Sequence, residues 1–523
     1  MWLATSAVWR SRVRLGYRVL RRRLADLEDA MARLLSRHAR LFTVLSPGMA
    51  LPTLLSAGLL ASAPFALALA AQEILISGGT VVTSEGRFAA DVRVRDGTIV
   101  EIGTGLAAAA GARTIDATGL LVMPGGVDPH VHLGGSRRDD YRTGSQAALA
   151  GGITTISNFA FPAGERTLAQ AIEREAALIR EQAIADVILH AGINDPETQE
   201  GQMTTLATET GQTSTKIFMV RAAFDAEVPD YMATMDAAGR AGILTMVHCE
   251  DGPILARAVA ELTAAGRTSL EYFPDSRPVV GEVVATQRAV AMAEATGAPI
   301  YAVHVSSEGA LRVLQDARER GLSVFVETRP IYLHFTRQRF EGPDRGLYVG
   351  QPPLREQRDQ DALWAGIASG SVHVLGTDHV AYRRDEKMDP SQTISRHRAG
   401  LSNLQVVRPM LYSEGVVRGR ISEERFVAVT STNAAKLFGL YPRKGTIAVG
   451  SDADIVLWDP DETRTIRDED MFSGTGFSVY SGWEVTGWPV MTLRRGEVVY
   501  EEGEILAGAG SGELLRRGRW QAP

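Results

Sequence analysis

The stretch MPGGVDPHVHLGG, residues 123–135, carries two histidines one residue apart in an otherwise apolar segment. Alternate side chains of a β-strand lie on the same face, so His130 and His132 point one way while Val131 points to the opposite face. Such a pair is either a metal site or two hydrogen-bonded core histidines, because imidazole is both a common metal ligand and an amphipathic group. The rest of the sequence has to decide between these two interpretations.

The length and charge of the chain limit the classes of protein that it can be. Its 523 residues, 45% of them hydrophobic, suffice for one large core and a smaller one, because single cores stop growing near about 250–300 residues. The first 40 residues carry ten arginines against three acidic residues, a charge of +7, which leaves −14 for the remainder. An acidic body argues against a nucleic-acid partner. The single cysteine, Cys249, excludes an intrachain disulfide and is expected to be a buried, inert thiol.

Residues 1–71 are predicted to be a targeting segment rather than part of the fold. A basic leader precedes the apolar stretch 41–71, which ends in small residues with Ala-x-Ala sites at 66–70, as signal peptides do. Three prolines interrupt this stretch, so a membrane-spanning helix is the weaker interpretation. We therefore expect export to the periplasm or beyond, with a membrane-anchored or cytoplasmic protein as alternatives. Membrane contact is expected only through residues 1–71.

Both ends of the remaining chain are rich in short, alternating strand patterns. Residues 72–119 contain one such block, with an Asp96-Gly97 hairpin signal, and residues 441–505 contain another. Two terminal β-rich blocks around one long middle segment predict a small composite β-sandwich domain built from both ends of the chain. Residues 506–523 are predicted to be a tail.

The middle segment, residues 120–440, alternates eight strand-like runs with amphipathic helical ones. Alternating strands and helices predict a parallel sheet, and eight such units over about 250–300 residues favour a closed (β/α)8 barrel. A doubly wound open sheet is the alternative. The sequence contains no dinucleotide-type glycine fingerprint and no phosphate-binding Gly-Lys-Ser/Thr loop to support that alternative.

Metal-competent side chains interrupt the carboxyl ends of these predicted strands, which is where barrel enzymes build their active sites. Each residue alone has an ordinary structural explanation, but burying the whole set without a common charge would be costly. We therefore predict one metal site formed by His130, His132, Lys216, His248, His304 and Asp378. His190, His373 and His379 are expected to be core or supporting groups rather than ligands.

Several motifs, in this order, resemble the dihydropyrimidinase and hydantoinase group of cyclic amidohydrolases, within the metal-dependent amidohydrolase superfamily. They are PGGVDPHVHL (124–133), TSTKIFM (213–219), HCEDG (248–252), YAVHVSS (301–307), QPPLR (351–355), GTDH (376–379) and the long block 419–460. The resemblance covers about residues 74–501. It implies a (β/α)8 barrel with a β-sandwich domain, two divalent metal ions per chain, usually zinc, and a homotetramer or dimer.

The resemblance also implies a role for each predicted ligand. His130 and His132 would hold one metal with Asp378, His248 and His304 would hold the other, and Lys216, carboxylated by CO₂, would bridge both. An ammonium cannot bind a dication, but an amine that has captured CO₂ is a carboxylate on a long stem. The implied reaction is the hydrolysis of a cyclic amide or ureide by a hydroxide that both metals share, with Asp378 acting as base and then as acid.

Departures from the pattern of this group leave the substrate open. Arg221 stands where hydantoinases carry a tyrosine, and Gln351 stands where a serine is common, so both are candidate substrate-binding residues. The segment 397–407 replaces an Asn-containing substrate loop. An allantoinase-like enzyme, or an amidohydrolase with another cyclic or linear amide substrate, is the alternative function. A non-catalytic scaffold is a further class, but such relatives have lost metal ligands and all six are present here.

Overall fold

The structure is a computed structural model that describes residues 73–164 and 166–523. The predicted signal-like leader, residues 1–71, lies outside the described residues. Within the two described ranges, no helix is both long enough and apolar enough to cross a membrane.

Eight parallel strands form one sheet in which every strand pairs with its neighbours in chain order. Their residues are almost all buried, which is typical of parallel strands with both faces covered. The predicted (β/α)8 barrel is confirmed. In chain order the barrel strands are Gly126–Asp128, Ile153–Ala160, Asp186–Gly192, Ser214–Phe218, Leu244–His248, Ile300–Ala302, Val324–Thr328 and Val374–Leu375.

A two-residue bridge joins the ends of the first and eighth barrel strands. Val131–His132, just beyond the first strand, pairs in parallel with His379–Val380, just beyond the eighth. The bridge lies at the carboxyl end of the barrel. It brings the histidine pair of the first strand next to the segment that carries Asp378.

The helices of the barrel layer follow the predicted amphipathic runs. In Leu168–Gln182, for example, Thr167 and Gln170 form a capping box, and the buried residues recur at the three- and four-residue spacing of one helix face. The longer helices are Tyr141–Ala150, Leu168–Gln182, Val228–Arg240, Gly252–Ala264, Val279–Thr296, Glu308–Glu319 and Gln357–Ser369. The shorter ones are Pro196–Gln199, Met203–Thr205, Phe273–Ser276, Pro330–His334, Arg384–Lys387, Val407–Leu411, Glu423–Val427 and Asn433–Leu437.

Strands from both ends of the chain combine in a seven-stranded sheet. Ile455–Thr465 pairs antiparallel with Leu121–Pro124, in the register Ile455↔Pro124. The sheet order is Glu504–Ile505, Glu497–Glu501, Glu484–Arg494, Ile455–Thr465, Leu121–Pro124, Thr80–Val82 and Arg87–Ala89. The expected composite β-sandwich therefore draws on both ends of the chain.

A four-stranded sheet forms the second layer of the sandwich. Its order is Thr98–Gly103, Asp91–Arg95, Glu73–Ser77 and Arg113–Asp116. One apolar cluster lies between the two sheets and includes Ile74, Val92, Ile99, Val122, Ile455 and Leu493, all at most 1% exposed. The sandwich therefore has its own core.

The start of the barrel differs from the expected boundary at residue 120. Leu121–Pro124 belongs to the sandwich sheet, and the barrel begins after Gly125, at Gly126. A Cβ atom at Gly125 would lie 2.2 Å from the hydroxyl of Thr154. Glycine therefore fits best at this position, where the chain leaves the sandwich sheet and enters the barrel sheet. The apolar run 120–133 thus supplies Leu121–Pro124 to the sandwich and Gly126–Asp128 to the barrel, followed by the short strand Val131–His132.

A buried charge cluster connects the sandwich to the barrel. The Lys444 ammonium lies 2.7 Å from Asp186, at the start of the third barrel strand, and 2.7 Å from Asp454, which precedes a sandwich strand. Arg495 also pairs with Asp186. Burial favours the neutral form of Asp186, but the Lys444 and Arg495 cations hold the pKa of this carboxyl below its usual value.

The predicted tail, residues 506–523, packs against the barrel. Leu514 forms a parallel bridge with Val187 of the third strand. The buried Arg517 guanidinium donates to the Leu189 carbonyl at 2.7 Å and to the Ser214 hydroxyl at 2.9 Å. The carboxyl-terminal segment therefore covers the third and fourth strands.

Candidate metal centre

Three predicted ligands meet where the first and eighth barrel strands end. His130, His132 and Asp378 each offer one ligand atom, and these atoms all lie within 4.8 Å of one another. The Nε2 atoms of His130 and His132 are 3.3 Å and 3.2 Å from Oδ1 of Asp378. Val131, between the histidines, is fully buried. The arrangement agrees with the expected convergence of the two imidazoles.

His248 and His304 form a second pair at the ends of the fifth and sixth strands. Nδ1 of His248 lies 2.9 Å from Nε2 of His304. The rings of His304 and His130 have centroids 5.5 Å apart, so the second pair borders the first group. The structure thus brings four predicted histidines and Asp378 into one cluster.

Lys216 lies in the fourth strand and is fully buried. Its Nζ has no hydrogen-bond partner in the part of the chain that the structure describes. Its nearest aromatic neighbours are Phe159 and Phe218, with ring centroids 5.4 Å and 5.1 Å from Nζ. Burial lowers the pKa of Lys216 to about 8. An unpaired ammonium in these surroundings is costly, which is why the amine loses its proton more readily than an exposed lysine does.

The donor set fits a metal centre. Burial lowers the pKa of His132 to about 3 and also lowers the pKa values of His248 and His304. These imidazoles are therefore neutral at pH 7, which is the form that binds metals. Imidazole nitrogens together with a carboxylate are typical ligands of zinc.

Glu327, on the seventh strand, orients two of the predicted ligands and was not identified from the sequence. Its Oε1 lies 2.7 Å from Nδ1 of His130 and accepts the backbone N–H of His304 at 2.9 Å, while Tyr301 donates to Oε2. Because a carboxylate can only accept, Nδ1 of His130 donates a proton to Glu327, and Nε2 is the ring atom that faces Asp378. In the sequence, Glu327 is only one residue of a strand-like run, VFVETRP.

Glu250 has the corresponding role for His248. Its Oε2 lies 2.7 Å from Nε2 of His248, and Arg277 pairs with the same carboxylate. The proton of His248 therefore lies on Nε2, and Nδ1 is left as a lone pair facing His304. The sequence offers one signal for this contact, the position of Glu250 two residues after His248.

Arg329 is a third residue of the centre that was not identified from the sequence. It is fully buried, and its Nη1 lies 3.2 Å from Oδ2 of Asp378. Burial favours the neutral form of Asp378, but Arg329 and the neighbouring histidines hold the pKa of this carboxyl well below its usual value. Asp378 is therefore ionised, with Oδ2 toward Arg329 and Oδ1 toward His130 and His132.

Two of the predicted ligands have an unusual backbone conformation. His304 has φ +42° and Asp378 has φ +45°, in the left-handed region that residues other than glycine seldom adopt. Such backbone is typical of functional sites, where the surrounding structure enforces it. No sequence pattern indicates this feature.

A cavity of about 200 Å³ opens onto the cluster. It is large enough for a small ring compound. Besides the four histidines and Asp378, its walls are formed by Arg137, Phe218, Val220, Arg329, Gln351, Val380, Tyr382, Ala399 and Gly400.

Gln351, a predicted substrate contact, lines this cavity and pairs with His397. Nε2 of Gln351 lies 3.0 Å from Nε2 of His397, whose Nδ1 lies 3.2 Å from the carbonyl of Thr393. Burial lowers the pKa of His397 to about 4, so the ring is neutral and its one proton is on Nδ1. The amide N–H of Gln351 therefore donates to His397, which leaves Oε1 of Gln351 as a free acceptor.

Arg221, the other predicted substrate contact, is not among the side chains that line the cavity. Its guanidinium faces the carbonyls of Ile193 and Asn194, at 3.4 Å and 3.3 Å. Val220 takes the neighbouring position in the cavity wall. Contact between Arg221 and a substrate therefore stays a prediction.

The remaining buried histidines have protein partners. His190 contacts the Pro129 carbonyl and the Ser214 hydroxyl, and His379 contacts Asp139. Nδ1 of His373 accepts the backbone N–H of Val326. Cys249 is buried, and burial raises the pKa of its thiol to about 12. The expected supporting roles and the inert thiol agree with these contacts.

Comparison with known proteins agrees with this architecture. Residues 121–499 match the amidohydrolase family. The chain is 35% identical to the D-hydantoinase of Ralstonia pickettii over 461 residues, 86% of this chain and 100% of that protein. It is 35% identical to the dihydropyrimidinase of Rattus norvegicus over 463 residues, 85% of this chain and 89% of that protein. The crystal structure of the dihydropyrimidinase from Brevibacillus agri superposes with a TM-score of 0.83 at 35% identity, covering 86% and 100% of the two chains.

The barrel, the His–His–Asp group and these matches define a metal-dependent hydrolase fold. The chain belongs to the amidohydrolase family and, within it, to the group of D-hydantoinases and dihydropyrimidinases. The resemblance inferred from the sequence motifs is thereby confirmed.

Proposed function

We propose that the protein hydrolyses a cyclic amide or ureide and opens its ring to an N-carbamoyl acid or a related acid. The observation that carries this proposal is the cluster of four histidines and Asp378 beneath a cavity of about 200 Å³. The named activities of the relatives, D-hydantoinase and dihydropyrimidinase, support the same reaction class.

The ligand set supports two divalent ions, with zinc as the first candidate. His130, His132 and Asp378 would hold one ion, and His248 and His304 would hold the other. When bound, the two ions supply a hydroxide near neutral pH and polarise the amide carbonyl.

Lys216 is proposed to carry a carboxyl group from CO₂ and to contribute to both metal sites. The buried Nζ without a described hydrogen-bond partner supports this proposal. The carbamate would replace an unpaired cation by an anion that can bind metal ions. With a pKa of about 8, a minor fraction of the amine is neutral at pH 7 and able to react with CO₂.

Asp378 is proposed to transfer the proton in the reaction. The Asp378 carboxylate, which lies between Arg329 and His132, accepts a proton from the attacking nucleophile and returns it to the leaving ring nitrogen. Arg329 keeps this carboxylate ionised in the resting enzyme. One carboxylate thus serves as base and then as acid.

Gln351 is proposed to orient the substrate ring. Its amide N–H is engaged by His397, so Oε1 is the acceptor that remains for a ring N–H of the substrate. Ureides and cyclic imides present such an N–H beside the carbonyl that is attacked. This contact supports a ring substrate over a linear tertiary amide.

A screen of hydantoin, dihydrouracil, allantoin and glutarimide tests the proposal. We expect the purified protein to open at least one of these rings, to lose this activity on chelation and to regain it with added zinc. Opening of allantoin alone would favour the allantoinase-like alternative. Metal-loaded protein that opens no cyclic amide would overturn the proposed function.

A further inference from the structure

One cation in the cavity wall has no counter-charge. The charged side chains in the wall, apart from the histidines, are Asp378, Arg329 and Arg137. Asp378 and Arg329 pair with each other at 3.2 Å. Arg137, which lines the same cavity, forms no ion pair with any described residue.

The hydrogen-bonding groups of Arg137 are also largely unused. Its Nε is shielded from solvent and has no hydrogen-bond partner among residues 73–164 and 166–523. The only hydrogen bond of the Arg137 side chain within the described residues is a long one, 3.4 Å from Nη1 to the carbonyl of Gly134. A desolvated donor without an acceptor is unfavourable, and a ligand that supplies an acceptor near this guanidinium reduces the cost.

The loop that carries Arg137 is held on both sides. The N–H of Gly134 donates to Asp139 at 2.8 Å, and the N–H of Arg138 donates to Ala381 at 2.9 Å. The N–H of Arg137 itself donates to Gly134 at 3.2 Å. The backbone therefore fixes where the Arg137 side chain begins, at the edge of the cavity.

The adjacent Arg138 differs in each of these respects. It is exposed, lies outside the cavity and pairs with Glu386 at 2.9 Å. Arg138 therefore has the role of an ordinary surface arginine. Arg138 is therefore a suitable control for a substitution of Arg137.

A second cation lies at the same edge. The guanidinium of Arg398 lies over the ring of Tyr382, 5.5 Å from its centroid, and Tyr382 lines the cavity. Arg398 is exposed and forms no ion pair within the described part of the chain. The positive charge at this edge is thus not confined to one residue.

We propose that Arg137 binds an anionic substituent of the substrate, so that the preferred substrates are cyclic amides or ureides with a carboxylate side group. A guanidinium binds a carboxylate through two parallel N–H···O bonds, which a neutral side group cannot match. The inference rests on the proposed ring-opening activity and adds the chemical class of the side group.

The test compares two substrates of the same shape, hydantoin-5-propionic acid and its neutral carboxamide. We expect the wild-type protein to favour the acid over the amide by about 10- to 100-fold in kcat/KM, mainly through KM. R137Q should reduce this ratio to about 1, and R138Q should leave it unchanged. Added salt should reduce the preference of the wild-type protein.

A wild-type ratio near 1, or an unchanged ratio in R137Q, would overturn the inference while leaving the ring-opening activity intact. If neither compound is opened, the screen of the four unsubstituted rings decides the proposed function separately, and calorimetric titration with the acid still decides the inference. Binding of the acid that R137Q weakens at least tenfold and R138Q does not would then support an anion site. Equal binding of acid and amide would contradict it.

Discussion

Individual side chains determine the chemistry of the centre, and Lys216 is the first that can be tested. It is fully buried, and its Nζ has no partner among the described residues. Every other predicted ligand is an imidazole or a carboxylate, which can bind a metal as it stands. Lys216 as an ammonium cannot do so, and we propose that it acts as the carbamate formed with CO₂.

Lys216→Ala is therefore expected to lose nearly all activity and to hold fewer than two metal ions per chain. Short carboxylates such as acetate or propionate should restore part of the activity, because they can occupy the space of the missing carbamate. Metal content by mass spectrometry and turnover with and without the carboxylate measure both effects. Intact-mass evidence for an unmodified Lys216 in fully active, metal-loaded protein would contradict the bridging role.

Glu327 acts through His130 rather than on a substrate. Glu327→Gln keeps the shape of the side chain but no longer fixes the proton of His130 on Nδ1. We expect metal affinity to fall by about 10- to 100-fold, as for other partners of metal-binding histidines. Competition with a chromogenic chelator measures the affinity directly. Glu327→Gln protein that binds metal as tightly as the wild type would show that Glu327 has only a packing role.

Among the strands and helices, a buried ion cluster holds the sandwich against the barrel. Lys444 lies between Asp186 and Asp454, and all three are at most 2% exposed. The stability that a buried ion cluster provides depends on each charged residue. Removal of one charge leaves its partners with less compensating charge in a poorly solvated site.

Lys444→Met is expected to destabilise the protein by about 3–5 kcal/mol, because it leaves the buried Asp454 without its lysine and Asp186 with Arg495 alone. The adjacent Arg443 is 44% exposed and pairs with Asp452 at 2.9 Å. Arg443→Gln is therefore the matched control and should cost about 1 kcal/mol or less. Urea unfolding of both variants gives the comparison. Equal stability of the two variants would show that the cluster does not hold the elements together.

At the scale of the whole molecule, the same cluster predicts how stability depends on pH. The folded pKa of Asp186 lies below its unfolded value of about 3.9. Its contribution is therefore fully present above about pH 4 and is lost as the pH falls through the folded pKa. We expect the urea midpoint to fall steeply below about pH 4. The fall should be shallower in Asp186→Asn, and an identical slope in both proteins would exclude this source of acid sensitivity.

Export is the prediction that concerns the chain outside the described residues. The apolar stretch 41–71, with its Ala-x-Ala ending, predicts a mature chain that begins near Ala71, just before the first sandwich strand at Glu73. Amino-terminal sequencing of the protein from its native host tests this. Recovery of a soluble chain that still begins at Met1 would contradict it. The expected homotetramer or dimer also stays a prediction, and light scattering of the mature protein would test it.

Local sequence patterns suffice to predict the fold class and the candidate ligands. Eight strand-like runs separated by amphipathic runs indicate a barrel because each pattern reflects local burial. The spacing of His130 and His132 indicates a shared direction because side chains alternate along a strand. Both inferences depend only on residues close together in the chain.

The groups that act on those ligands from distant parts of the chain are visible only in the folded protein. Glu327 reaches His130 across 197 residues, and Arg329 reaches Asp378 from a different strand. In the folded protein, Leu121–Pro124 also belongs to the sandwich, Arg221 faces backbone carbonyls, and residues 506–523 pack against the barrel. Such contacts depend on how the strands are arranged around the barrel, and local periodicity carries no information about distances between residues far apart in sequence.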